Sequence, residues 1–432
     1  MTTPSFIDAA RVWVQIGFTS FGGAAGQIAM MHRILVDERK WVEEPRFLHA
    51  LNYCTLLPGP EAQQLATYLG WLWHGTRGGL FAGLMFVIPG ALIMLGLSFL
   101  YVYGGHLPLI AGLFFGIKTA VLAIVAHAVA RIASRAFRHR LFILIAVLAF
   151  SLLMVADAPF PLIVLGAALF GYVAQPHMAH VFPPAAQDVE AQAPVTFLQT
   201  FIAILSWIGV WWIPIGVIAL ALGPTHVLVT IGVYFSKLAM LSFGGAYALL
   251  AWLAQDAVSV KGWLTAAEMA DGLGLAETTP GPTILVTQHV GFLAGWRAPE
   301  PFSAPVAAAL AALVTTWATF APSFLWIFAG APHMEQLRAN KRLAAALSAI
   351  TAVVVGVMSY LAVWFALHLL FAQSGWYEMG AVRLPTVVLA SFDLQAFVLS
   401  ALAFVLIMRL HWSVVRSVFV MAALGILTRL VF

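Results

Sequence analysis

The residues best placed to do chemistry in this sequence sit beside helix breakers inside long apolar runs. Pro58-Gly59-Pro60 is followed at once by Glu61, Gln63 and Gln64. Pro280-Gly281-Pro282 is preceded by Glu277 and Thr279 and followed by Thr283, Thr287, Gln288 and His289. Two further breaks, Ser20-Phe21-Gly22-Gly23 and Ser242-Phe243-Gly244-Gly245, pair hydroxyls with glycines. Proline removes a backbone donor and glycine weakens a helix, so all four sets interrupt helical runs. In hydrocarbon each freed N–H or C=O is costly unless protein or cavity water satisfies it, so such breaks belong where they line a cavity. A helix that restarts there points unpaired N–H groups and a partial positive charge at the cavity, which suits an anion. Pro60 and Pro282 fit a first helical turn, where the missing donor does no harm. The amides of Glu61, Ala62 and Gln63, and of Thr283, Ile284 and Leu285, then face the breakpoints.

Charge at membrane depth is the second chemical signal. Ionisable residues within spans are rare and usually functional. Lys118 lies mid-way along the apolar run 113–129, and Lys237 lies five residues before Ser242. A desolvated divalent oxyanion needs a cation or several donors, so both are candidate substrate ligands. The plain alternative is a lysine that snorkels to the interface. Glu61, Glu277 and His289 are candidate proton carriers, because protonating a carboxylate removes its repulsion against an anion and histidine exchanges protons near neutral pH. A helix cap for Glu61 and a satisfied core position for His289 are the alternatives. Asp256, Glu268 and Asp271 are expected in or near a loop, as solvated charge.

Membrane helices must position these groups. The chain has 432 residues, 62% hydrophobic and 9% charged. A soluble domain carries about 25% charged residues, and disorder needs low hydrophobicity, so both classes are excluded. The net charge is +4 with the basic residues scattered, which leaves no face for nucleic acid. Cys54 is the single cysteine, so an internal disulfide and a Cys-x-x-Cys metal site are ruled out. Neither metal nor cofactor is expected. Walker A, HExxH and GxSxG patterns are missing, which argues against direct ATP drive and against an intramembrane enzyme.

A crossing helix takes about 20 mostly apolar residues. On that measure twelve or thirteen segments are predicted: 7–31, 48–73, 79–103, 107–130, 140–156, 159–175, 198–222, 226–252, 266–295, 303–331, 343–372, 386–408 and 412–431. The runs are continuous, not alternating, so a β-barrel is unsuitable. One offset of 222 relates Phe21 to Phe243, Trp41 to Trp263 and Pro58 to Pro280; Pro89 then matches Pro322 after an insertion. The chain therefore reads as an all-α polytopic membrane protein of two six-segment repeats with broken or re-entrant helices. The predicted division is 1–175, first repeat; 176–225, polar linker plus one extra segment; and 226–432, second repeat. The odd segment inverts the second repeat. Basic loops agree, since Arg131, Arg135, Arg138 and Arg140 follow the fourth segment but Arg338, Lys341 and Arg342 follow the third segment of the second repeat. Inverted repeats are frequent in secondary transporters. Whether the first two segments of each repeat span or re-enter stays open.

The motifs Ser20–Ala24, Leu57–Ala66, Ser242–Leu250, Glu277–Thr283 and Val290–Gly295 resemble the signatures of the chromate ion transporter family. The resemblance covers the whole chain, in the long two-domain form; Ala24 stands where the family motif often continues with proline. It implies a secondary transporter that exports chromate across the bacterial inner membrane, with sulfate as a kindred oxyanion. The expected partners are chromate or a sulfate-like oxyanion, the lipid bilayer and, as a homodimer, a second copy. The residues themselves point only to an oxyanion, and a carrier for sulfate, an anion channel or an intramembrane enzyme are the alternative readings.

Overall fold

The structure is a computed structural model that describes residues 4–21, 23–55, 57–105, 107–182, 197–242, 246–331, 340–380 and 382–431. The apolar runs fold as helices, and four of the predicted segments come apart at their breakers. The first half holds α1 (Phe6–Thr19), α2 (Gly23–His32), α3 (Glu44–Cys54), α4 (Glu61–Gly104), α5 (Pro108–Ala136), α6 (Arg140–Ala156) and α7 (Phe160–Ala174). α8 (Phe197–Leu222) is the extra helix. The second half holds α9 (Val227–Met240), α10 (Ala246–Gln255), α11 (Ala266–Thr278), α12 (Val286–Arg297), α13 (Ala304–Gly330), α14 (Lys341–Leu370), α15 (Leu394–Phe404) and α16 (Val414–Val431). Among the described residues five helices are long and apolar enough to cross a membrane: α4, α5, α8, α13 and α14. The chain is thus an all-α polytopic membrane protein.

The 222-residue offset reappears in the elements. α3 starts at Glu44 and α11 at Ala266; α4 starts at Glu61 and a 3-10 turn at Thr283. A wide π turn follows the second helix of each half, at Arg33–Glu38 and at Asp256–Val260. The broken helices are short, 14 residues in α1 and 11 in α3. At 1.5 Å per residue a 14-residue helix covers about 21 Å, less than the ~30 Å hydrocarbon core, so none of these pieces crosses alone. Within α4 the chain bends at His74 (φ −133°) and Gly75 (φ 59°), which separates 61–73 from 76–104, where the sequence sets two segments.

One region departs from expectation. Ser374–Met379 and Val382–Val387 pair as an antiparallel hairpin, so the segment predicted from 386 becomes α-helical only at Leu394, after a 3-10 turn at Leu389–Ser391. Gly380 turns the hairpin at φ 64°, and the Asp393 side chain caps α15 by accepting from the Ala396 amide. Local turn and cap chemistry overrides the apolar run there. Most of the polar linker lies outside the described residues.

The helices form two compact units, and each draws on both halves of the sequence. Unit 1 comprises Met1–Phe99, Gln187–Ala246 and Thr279–Leu337. Its core gathers Ile16, Tyr53, Tyr68, Phe86, Phe324 and Phe328. There α12 packs along α13, α13 packs on α8 and α9, and Trp207 of α8 stacks on Phe324 and Phe328. Unit 2 comprises Leu100–Ala186, Tyr247–Thr278 and Arg338–Phe432. In it α5 packs on α15 and α16, α14 packs on α6 and α7, and α5 meets α14. The fourth segment of each half therefore lies against the last two of the other half. Small residues permit this closeness. A Cβ on Gly116 would lie 1.9 Å from the Met421 carbonyl oxygen, and one on Gly356 2.1 Å from that of Ala146.

Candidate functional site

Both Pro-Gly-Pro breaks and both Ser-Phe-Gly-Gly serines belong to unit 1. Each break is tied to the serine of the other half. The Gly59 N–H donates to the Ser242 carbonyl at 3.0 Å, and the Gly281 N–H donates to the Ser20 carbonyl at 2.8 Å. The two bonds are related by the same 222-residue offset at both ends. The serine hydroxyls turn back on their own helices, Ser20 Oγ to the Gly17 carbonyl (3.4 Å) and Ser242 Oγ to that of Ala239 (2.8 Å). Each serine thus ends a helix and offers its carbonyl to the opposite break.

At the first break Pro58, Gly59 and Pro60 are buried, and Gly59 has φ 123°, a conformation natural to glycine. Gln64 Nε2 donates to the Pro58 carbonyl at 2.7 Å. The first backbone bond of the restarting helix runs from Gln64 N–H to the Pro60 carbonyl, 3.0 Å. The amides of Ala62 and Gln63 precede it, so they are among the donors a helix start leaves over. A Cβ on Gly59 would lie 2.6 Å from Gln64 Nε2 and 2.8 Å from Ser323 Oγ. Ser323 is 1% exposed, and its Oγ, like the Oε1 atoms of Gln63 and Gln64, has no hydrogen-bond partner among the described residues. Gln63 Nε2 donates to Thr67 Oγ1 at 3.2 Å.

The second break is closed more fully. Gln27 Nε2 donates to the Gly281 carbonyl (2.5 Å) and the Ser20 carbonyl (3.3 Å). Thr283–Leu285 is a 3-10 turn in which the Leu285 N–H already reaches the Pro282 carbonyl at 2.9 Å. Around Gly281 (φ 94°) a Cβ would meet Leu285 Cδ1, the Phe86 carbonyl oxygen and Gly90 Cα, at 3.3, 3.3 and 3.6 Å. Thr279, Pro280, Pro282 and Thr283 are all buried. Beyond the turn, Gln288 Nε2 donates to the Ala91 carbonyl (2.9 Å) and His289 Nδ1 meets Ser98 Oγ (2.9 Å).

The remaining predicted residues fall in several places. Phe21 is half-buried and Gly23 is buried at φ 66°. Gly22, Phe243, Gly244 and Gly245 lie outside the described residues. Glu61 is half-buried at the first turn of α4; Glu277 is buried at the end of α11, in unit 2. Lys237 is exposed in the last turn of α9, a favourable place for a cation at a helix end. Lys118 belongs to unit 2, where its Nζ lies 2.9 Å from Asp271 Oδ1. The expectation of a solvated loop aspartate is corrected, because Asp271 is 6% exposed inside α11.

Three polar residues at these sites escaped the sequence reading. Ser323 follows Pro322, the counterpart of Pro89, so its counterpart is Gly90; the repeat offset, extended past the insertion, would have flagged it. Gln27 stands where the second half has Leu249, and that asymmetry is its only signal. Asp271 is the third: its position was read, but as solvated charge, and its pairing with Lys118 was not. Among the described residues no cluster of His, Cys, Asp and Glu could hold a metal.

Comparison with known proteins adds an independent line. The chromate transporter family model matches residues 7–172 and 229–428. The chain is 31% identical to the chromate transport protein of Pseudomonas aeruginosa, over 80% of this chain and 77% of that one. It is 27% identical to the probable chromate transport protein of Synechococcus elongatus, over 82% and 83%. It is 24% identical to the chromate transport protein of Cupriavidus metallidurans, over 83% and 82%. No solved structure matches it.

Proposed function

The chain belongs to the chromate transporter family, whose members are transporters and not enzymes, and from that premise we propose that it exports chromate across the bacterial inner membrane as a secondary carrier. The observation that carries the reading is the reciprocal pair of bonds, Gly59 to Ser242 and Gly281 to Ser20. It holds two helix starts of opposite halves in one unit. At the first start the amides of Ala62 and Gln63, the Ser323 hydroxyl and the Gln64 carboxamide form a donor set for a tetrahedral dianion. Amide and hydroxyl donors to a charged acceptor are about twice as strong as neutral ones. The second start completes the pocket's frame through Thr279 and Thr283.

The same proposal includes inverted halves that gate the site in alternation, and proton exchange through Glu61, Glu277 and His289. It leaves the exposed Lys237 outside the substrate's direct contacts. Pairing of two copies is also part of it, and native mass spectrometry of detergent-extracted protein decides that point. Labelled chromate flux in proteoliposomes tests the core claim. The variant carrying Gly59→Leu and Gly281→Leu should lose transport, and unchanged flux would remove the breaks from the binding site. Sulfate competition in the same vesicles separates a chromate carrier from a general oxyanion carrier. A pH gradient that leaves the flux unaltered would delete the proton arm, and a steady voltage-driven current would replace carrier with channel.

A further inference from the structure

Unit 2 contains an ion pair more enclosed than any other among the described residues. Lys118 Nζ and Asp271 Oδ1 lie 2.9 Å apart, with side chains 19% and 8% exposed. Tyr101 holds the other carboxylate oxygen, its hydroxyl donating to Asp271 Oδ2 at 3.0 Å. The helices approach closely enough for this because Gly274 has no side chain; a Cβ there would lie 2.5 Å from Ile117 Cγ2. Glu268, one turn earlier on α11, is engaged elsewhere. Its carboxylate accepts from the Thr265 N–H at 2.7 Å, while its own N–H donates to Thr265 Oγ1, a capping box at the helix start. The carboxylate that serves Lys118 is therefore Asp271.

A lysine at membrane depth has to be neutralised in every state the protein visits, because an isolated charge there is expensive. Breaking a buried pair by removing one partner leaves the other uncompensated. In a carrier for a dianion two neutralisers are available, the protein's own carboxylate and the substrate. We propose that Lys118 is a second station for the oxyanion, in unit 2, and that Asp271 is the internal anion that occupies it when the carrier is empty. Loaded, the substrate displaces the carboxylate; after release, Asp271 closes back on Lys118 under the guidance of Tyr101, and the empty protein returns. The arrangement makes the ammonium available to the substrate without leaving it bare between cycles. This inference rests on the transport reading above.

The distinguishing experiment compares net flux with exchange. Labelled chromate is followed in proteoliposomes loaded either with buffer or with unlabelled chromate. Asp271→Asn should bind chromate more tightly, keep exchange, and lose net flux by about tenfold or more, the scale of one charged hydrogen bond. Lys118→Gln should weaken binding by a similar factor, and the double variant should behave like Lys118→Gln. A merely structural pair predicts otherwise: the double variant, with no charge left to bury, would regain wild-type flux. That recovery, or weakened binding in Asp271→Asn, would overturn the proposal. Should Asp271→Asn fail to fold on size-exclusion, Tyr101→Phe keeps the pair and must still lower net flux relative to exchange; equal loss of both would also overturn it. Failure of the transport reading itself would show separately, as wild-type vesicles that carry no chromate in either mode.

Discussion

The two Pro-Gly-Pro breaks share a backbone design and differ in what surrounds them. Each is buried, each has a glycine at positive φ, and each glycine donates to the serine that ends a helix of the opposite half. At the first break a hydroxyl, Ser323 Oγ, and the Gln64 carboxamide face the glycine. At the second the corresponding space is taken by Gly90, Leu285 and the Phe86 backbone, and Gln27 satisfies the buried carbonyls of Gly281 and Ser20. The first helix restarts directly as an α-helix, whereas the second begins with a 3-10 turn that uses the Leu285 amide at once. The two breaks share one backbone frame, and the side chains around them make one polar and the other closed. On the proposed reading one break would offer donors to the anion while the other fixes the geometry.

The largest effect should come from forcing a side chain into the closed break. A Cβ on Gly90 would lie 2.1 Å from the Pro280 carbonyl oxygen, a backbone atom that cannot swing aside. Gly90→Ala should destabilise the protein by about 3 kcal/mol, the upper range of overpacking. Gly96→Ala, where nothing lies within 4 Å, is the matched control. Thermal unfolding in detergent compares them, and equal melting temperatures would mean the second break is as open as the first.

Next in size is the contrast between the two central glycines. Alanine at positive φ costs roughly 1–2 kcal/mol, so Gly59→Ala and Gly281→Ala should lose comparable stability. Only Gly59→Ala should raise the KM for chromate strongly, because its Cβ would fall 2.6 Å from Gln64 Nε2 and 2.8 Å from Ser323 Oγ. Gly281→Ala, with its nearest neighbours at 3.3 Å, should alter turnover more than KM. Equal rises in KM would erase the proposed division of labour.

How much of this was legible in the sequence follows from how local each signal is. Breakers inside apolar runs act on their own residues, so the helix ends at Ser20, Ser242, Pro58 and Pro280 were readable, and so was the bend at His74–Gly75. The constant offset made the pairing of halves readable too. The reciprocal bonds were not, because a backbone amide carries no residue signature. Asp271 was misplaced for a related reason: with Glu268 and Asp256 nearby it resembles a polar loop, and only the seat at Gly274 turns it toward Lys118. The division into interleaved units depends on contacts between segments hundreds of residues apart, which periodicity does not encode. The hairpin at Ser374–Val387 falls almost wholly between two predicted segments, in a short mixed stretch that carries no long apolar run.

Removing the clamp on the closed break should have a smaller effect than filling it. Gln27→Leu leaves the Gly281 carbonyl without its side-chain donor, and a buried acceptor so stripped costs about 1–3 kcal/mol. The loss should appear as a lower melting temperature with an unchanged KM. A raised KM at wild-type stability would instead make Gln27 a substrate ligand and both breaks binding sites.

The finest test exchanges the one group that distinguishes the frames. Ser323→Ala removes a buried hydroxyl that has no partner among the described residues, so folding should be unaffected or slightly improved. Chromate affinity should fall by about tenfold, the value of one hydrogen bond to a charged ligand. Ser323→Thr keeps the donor and adds a methyl beside Gly59, so it should retain more affinity than alanine if the hydroxyl reaches substrate. If alanine and threonine bind chromate alike and as tightly as serine, the hydroxyl has no contact with the anion. The Ser323 hydroxyl would then be an accident of packing, leaving the amides of Ala62 and Gln63 and the Gln64 carboxamide as the ligands at the first break.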